Sequence, residues 1–238
     1  MKKTVSVAIS CEHASHDVPK SLKKLFQAKK MWLKTHRGYD IGALDVAEAL
    51  QKEIGDRFFQ GKFSRLVVDL NRSAKSRRLF SNVTQALTND EKNKILHELY
   101  FPYRNDVYKF LKKSIEANRV VVHLSVHSFT PVLNGKSRDC DIGILYDPSS
   151  AMERKFANKL KDLLDVVFPD FKIRRNYPYQ GKSDGLTREM RGKFKKAKYL
   201  GIELEFNQKL LGSISKERQT DLFVHHMAWA LDGAIVAL

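Results

Sequence analysis

Two histidines stand at the ends of apolar runs, and the chemistry of this sequence starts with them. His13 follows Val5–Ile9 within Ser10-Cys11-Glu12-His13-Ala14-Ser15. His127 follows Val120–Val126 (VVVHLSV) and leads into Ser128-Phe129-Thr130-Pro131. Imidazole is a common ligand for zinc and similar cations. Two histidines at neighbouring strand ends, with carboxylates nearby, suit metal-assisted hydrolysis. The plainer alternative for each is a hydrogen-bonded turn histidine. Neither HExxH nor HxxE occurs in the chain, so ligand spacing alone does not mark a metal site.

A third ligand has three candidates. Asp40 follows Thr35-His36-Arg37-Gly38-Tyr39 and opens a helix, where an aspartate can also be a simple N-cap. Glu12 adjoins His13, and in an extended segment its side chain points the other way. His16 reaches the site only if the segment turns. The order of preference is Asp40, Glu12, His16.

Glu203 lies between Ile202 and Leu204 in the apolar run Tyr199–Glu205. A carboxylate there is costly unless it is paired or working. It suits a general base, and the alternative is an ion pair with an arginine. Glu205 points the same way in a regular strand. Asn71 and Arg72 follow the apolar run Arg65–Leu70 (RLVVDL), and a guanidinium there suits a bidentate clamp on a substrate carboxylate. The segment 176–181 reads as a loop over the site, with Tyr179 as a substrate contact. Gly181–Gly185 is polar with two glycines and is expected to move as a lid. Cys11 is expected to be a buried thiol, and His225-His226 to place one ring outward and one inward.

These residues need a scaffold, and the pattern supplies one. Val5–Ile9, Arg65–Leu70, Val120–Val126, Asp141–Tyr146, Phe171–Arg175 and Tyr199–Glu205 read as strands, several apolar throughout, as in a sheet covered on both faces. Helices are expected over Ile41–Ile54, after the capping box Thr88-x-x-Glu91 with Pro102 kinking or dividing it, over Ser150–Phe168, and over Ser215–Ala237 with a break at Gly233. The alternation predicts one α/β domain over residues 1–238, with a mostly parallel or mixed central sheet and helices on both faces. Ligand sites in such sheets lie beyond the carboxyl ends of the strands.

Composition sets outer limits. Of 238 residues, 42% are hydrophobic and 29% charged, which argues against a mostly disordered chain. No run of 18 apolar residues occurs, and MKKTVSVAIS lacks the long apolar stretch and cleavage site of a signal peptide. Two cysteines, Cys11 and Cys140, fit a reducing, cytoplasmic setting without membrane attachment. Lys+Arg 43 against Asp+Glu 27 gives +16, which favours anionic partners. Nucleic acid is therefore the alternative partner, with the chain a non-catalytic anion-binding module on the same fold. The scattered lysines and the lack of a basic-aromatic RNA-binding signature weigh against it.

The segments SCEHAS, HRGYDIGA, SRLVVDLNRS, HSFTP, RDCDIGILYD, NYPYQG and GIELEFNQ, in that order over residues 10–208, together resemble the N-formylglutamate amidohydrolase family. The resemblance implies a fold like that of zinc carboxypeptidases and aminoacylases. It implies a zinc ion, or another divalent cation, on His13, His127 and a carboxylate placed at Asp40. It implies Glu203 as catalytic general base and Asn71-Arg72 on the substrate carboxylate. Beside the resemblance, Arg65 or Arg138 suits the oxyanion by its charge, and Arg138 and Tyr179 suit substrate contacts. The implied activity is release of formate from N-formyl-L-glutamate, or of the acyl group from a related N-acyl amino acid, in histidine catabolism. Where the family's late strand reads E-x-R, this chain reads Glu203-Leu204-Glu205.

Overall fold

Parallel pairing of the most apolar runs builds the centre of the protein. A computed structural model describes residues 4–214 and 217–238. In it β1 (Val5–Cys11) pairs in parallel with β3 (Val120–Phe129), and β3 with β8 (Tyr199–Asn207). The short β2 (Arg57–Gln60) extends the sheet beyond β1 in parallel. On the other side β6 (Ile142–Leu145) runs antiparallel to β8, and β7 (Ile173–Arg175) parallel to β6. The strand order is β2-β1-β3-β8-β6-β7, the expected mixed α/β sheet. A two-residue hairpin, β4 (Val132–Leu133) with β5 (Lys136–Ser137), stands apart.

Side chains alternate across the strands, so each strand feeds two layers. Val7, Ile9, Val122, Leu124, Ile202 and Leu204 pack beneath α2 (Ala43–Ile54), α5 (Ala151–Val167) and α8 (Glu217–Val236). Ala8, Val121 and Tyr199 face the opposite way, towards α4 (Phe101–Glu116) and α6 (Leu186–Lys193). By the same alternation that second face carries Ser10, Glu12, Ser125, His127, Glu203 and Glu205 towards the strand ends, all buried. The polar row is thus a product of strand register.

The remaining elements are short. α1 (Lys30–Leu33) lies between β1 and α2, and α3 (Asn89–Ile95) begins at Thr88, whose capping box with Glu91 is fully formed. A π-helical turn, Leu96–Tyr100, joins α3 to α4 just before Pro102. Proline cannot donate to a carbonyl one turn back, so the expected division of this helix is a widened turn. α7 (Gln208–Ser213) follows β8 directly.

Two expectations change. Arg65–Leu70 is not a strand: Val67 N–H donates to the Ser64 carbonyl at 2.8 Å, a turn bond, and Asp69 N–H donates to the Leu79 carbonyl at 2.8 Å across the loop that follows. β2 takes the place beside β1. Val67, Val68 and Leu70 instead fill a separate cluster with Phe26, Leu79, Ile95 and Tyr100. A short apolar run does not by itself distinguish a strand from a buried turn. α8 runs unbroken through Gly233, and Ser215, the expected start of that helix, lies outside the described residues, as do Met1–Lys3. β2, α6 and α7 carry no signal long enough to have been anticipated.

Candidate active site

β1 delivers His13 just past its end, and the backbone fixes Asp40 against it. Asp40 N–H donates to the His13 carbonyl at 2.9 Å. Gly42, at φ 77°, then turns the chain into α2, a left-handed conformation that glycine adopts readily. β3 delivers His127. The Nδ1 atoms of His13 and His127 lie 3.2 and 2.8 Å from the same oxygen, Asp40 Oδ2. One ligand atom from each of the three residues lies within 4.8 Å of the others, and all three residues are buried.

Each imidazole also has a carboxylate behind it. His13 Nε2 lies 2.7 Å from Asp69 Oδ1, and His127 Nε2 lies 3.0 Å from Glu12 Oε2. Ser125, two residues before His127 and on the same face, donates its hydroxyl to Glu12 Oε2 at 2.6 Å. Arg65 spans the carboxylates, with Nη1 on Asp40 Oδ1 at 3.3 Å and Nη2 on Asp69 Oδ2 at 3.0 Å. Tyr103 donates to Glu12 Oε1 at 3.2 Å. Carboxylate–imidazole pairs of this kind fix ring orientation and basicity around a metal.

The electrostatics follow from this crowding. Burial pushes Glu12, Asp40 and Asp69 up, but the histidines and Arg65 outweigh it and hold all three well below the usual carboxylate range. Burial pulls His127 down, and its bonds to Asp40 and Glu12 lift it well above the usual imidazole value. Glu205 behaves differently. Burial pushes it up to about 8, against the charge of His127 and with Asp40 and Glu203 adding to the rise. Its Oε2 is buried with no hydrogen-bond partner.

The two glutamates of β8 occupy different places. Glu205 is the register partner of His127, and Glu203 that of Ser125. Glu203 Oε1 accepts from the Thr187 hydroxyl at 2.5 Å. A Cβ on Gly185 would sit 2.9 Å from Asn71 Oδ1 and 3.5 Å from Glu203 Oε1, so glycine lets this loop pass between them.

The expected substrate residues border the same place. Asn71 Nδ2 lies 3.1 Å from His127 Nε2, and Asn71 Oδ1 accepts from Leu186 N–H at 2.7 Å. Arg72 Nη1 donates to the Asp184 carbonyl at 2.7 Å, and Arg72 Nε lies 3.9 Å from Asp69. Ser73 N–H points at the Asp184 carboxylate at 3.3 Å, so the expected lid, Gly181–Gly185, is fastened onto Asn71-Arg72-Ser73. The Arg138 guanidinium lies 5.6 Å from the Phe129 ring centroid and 5.1 Å from that of Tyr179, which is exposed. Of the alternative ligands, Glu12 stands behind His127, and His16 packs against Tyr39 with ring centroids 5.2 Å apart. Cys11 is buried with its thiol pushed up by burial, and His225 is exposed while His226 packs on Phe168.

Asp69, Ser125 and Thr187 were not singled out from the sequence. Asp69 is the one acid in RLVVDL, and Ser125 sits two residues before His127, a signal of a shared strand face. Thr187 has no such signal.

Two imidazole nitrogens and a carboxylate oxygen, with further carboxylates behind, form a donor set that fits a divalent cation such as zinc. Ionised Glu12, Asp40 and Asp69 face Arg65 and the two histidines here, a cluster that added positive charge would balance.

A family model for N-formylglutamate amidohydrolase matches residues 5–211. Among solved structures, the gene product Atu2144 from Agrobacterium tumefaciens is 26% identical at a TM-score of 0.81, over 99% of this chain and 92% of that one. An N-formylglutamate amidohydrolase from Ralstonia eutropha JMP134 superposes at a TM-score of 0.71 with 14% identity, over 98% of this chain and 94% of that one, a likeness of fold. No curated protein matches.

Proposed function

The chain belongs to the N-formylglutamate amidohydrolase family, a family of amide hydrolases, and from that premise we propose that it is a metal-dependent enzyme acting on N-acyl amino acids, N-formyl-L-glutamate first among them. The observation that carries this reading is the convergence of His13 and His127 on Asp40, each ring backed by its own carboxylate.

His13, Asp40 and His127 would hold the cation, with zinc our choice. When bound there, it supplies Lewis-acid polarisation of water and of the scissile carbonyl. The residues around it do the rest. Asp69 and Glu12 orient the two imidazoles. Arg72 receives the substrate carboxylate through its guanidinium fork, with Asn71 beside it. Arg138 and Tyr179 border the acyl amino acid at the open side. Arg65 or Arg138 stabilises the oxyanion that develops on the carbonyl oxygen.

Proton transfer falls to the glutamates of β8. Glu203 carries the sequence expectation, and Thr187 already holds one of its oxygens. Glu205 is favoured by position: it is paired in register with His127 and has an unpartnered oxygen. A group so poised can take a proton from attacking water and return it to the leaving nitrogen. We assign the step to Glu205, with Glu203 as the alternative.

The whole of residues 1–238 would act as one domain in the cytoplasm, in the breakdown of histidine. Among the described residues no helix is long and apolar enough to cross a membrane. The test is hydrolysis of a panel of N-formyl and N-acyl amino acids by zinc-loaded protein. The expected result is fastest release from N-formyl-L-glutamate, with loss of rate when the α-carboxylate is amidated. Hydrolysis of none of them overturns the reading.

A further inference from the structure

Though lysines are scattered along the chain, one stretch carries cations with no acid among them. Residues 18–39 carry Lys20, Lys23, Lys24, Lys29, Lys30, Lys34 and Arg37 and no aspartate or glutamate. Elsewhere some exposed lysines are matched by acids: Lys94 with Glu98 at 3.9 Å, Lys112 with Glu116 at 3.7 Å, Lys161 with Asp165 at 2.5 Å and Lys172 with Asp139 at 2.5 Å. Among the described residues none of the cations of 18–39 has an acid within ion-pair distance.

The segment is also concave. A cavity of about 550 Å³ has His16, Lys23, Lys24, Lys30 and Lys34 on its walls, with Asp17 as the one acid. Val18, Phe26 and Leu33 give it an apolar side, and Phe26 is fully buried, anchoring the turn that carries the lysines. Lys30 and Lys34 stand one helical turn apart, where like charges repel. A concave, low-dielectric wall focuses such a field onto a ligand of opposite sign.

We propose that this cavity binds a compact, soluble polyanion bearing two or more phosphate groups. Ammonium groups are point charges with three donors each, suited to clustered phosphate oxygens. The volume is that of a small-molecule site. Phe26 is buried in the wall, and Trp32 of the same segment has Lys29 Nζ 4.4 Å and the Arg37 guanidinium 4.3 Å from its ring centroid. Its faces are therefore engaged by cations, which disfavours a stacking platform for single-stranded nucleic acid. The site is separate from the candidate metal group, and it stands whether or not the chain hydrolyses amides.

The probe is sodium tripolyphosphate, titrated calorimetrically into the full chain at 150 mM NaCl, with thermal unfolding as a second readout. Lys24→Gln/Lys30→Gln/Lys34→Gln is compared with Lys94→Gln/Lys112→Gln/Lys161→Gln, which removes the same charge from exposed helices. The expected result is saturable one-site binding with a rise in Tm, weakened about tenfold or more in the first variant and within about twofold of wild type in the second. Equal loss in both variants, or no binding to wild type, overturns the site. Binding of a single-stranded oligonucleotide, or of vesicles with phosphoinositide headgroups, without binding of free tripolyphosphate overturns the assignment to a soluble ligand.

Discussion

The side chains of the candidate active site are arranged in two shells, and each shell has a reason in charge. One oxygen of Asp40 meets the Nδ1 atoms of both histidines, and Asp69 and Glu12 meet their Nε2 atoms. Glu205 is left without such a partner, which is why burial dominates its titration. Its folded pKa of about 8 lies above the ordinary 4.5. The group therefore contributes stability that is fully present below about pH 4.5 and is lost as pH rises through about 8. Glu205→Gln stays neutral and escapes that loss. In metal-free protein, its Tm is expected to rise relative to wild type between pH 6 and pH 9, measured by scanning calorimetry. The same substitution is expected to lower kcat by about 10²–10⁴-fold if Glu205 moves the proton. Glu203→Gln should then retain far more activity, and the reverse ranking would give the step back to Glu203.

Elements place these residues, and here sequence and structure agree unevenly. β1, β3 and β8 are long, apolar and β-branched, so their positions and the face shared by Ser125 and His127 follow from a period of two. The loop 65–73 does not follow in this way. Its apolar run looks like a strand, yet it is a buried turn, and only as a turn does it bring Arg65, Asp69, Asn71 and Arg72 to one place. The loop is held from α4 and the π-helical turn before it: Arg104 Nη1 donates to the Leu70 carbonyl at 2.6 Å, Tyr100 donates to the Arg72 carbonyl at 2.7 Å, and Arg104 Nη2 pairs with Glu189 of α6 at 2.5 Å. Such a clamp joins residues far apart in the chain, and local pattern carries no trace of it. Arg104→Met should raise KM for the carboxylate substrate more than it lowers kcat, and destabilise the fold by about 2–4 kcal/mol. Arg104→Lys should recover part of both. Equal effects on substrates with and without the α-carboxylate would contradict a positioning role.

At the scale of the whole molecule, three buried carboxylates tie folding to pH. Glu12, Asp40 and Asp69 are held below their ordinary values, so their stabilisation is present above about pH 4 and lost progressively as pH falls. Denaturant unfolding of metal-free protein should show stability falling from about pH 4 downward, with a shallower fall in Asp69→Asn. On the proposed reading the same cluster receives a divalent cation. The most direct test is the metal content of purified protein after zinc loading and desalting, wild type beside His127→Ala, with far-UV circular dichroism confirming that both are folded. About one zinc per wild-type chain, lost in the folded variant, is the predicted result. Wild-type protein that takes up no zinc, or a folded variant that retains it fully, would contradict the account.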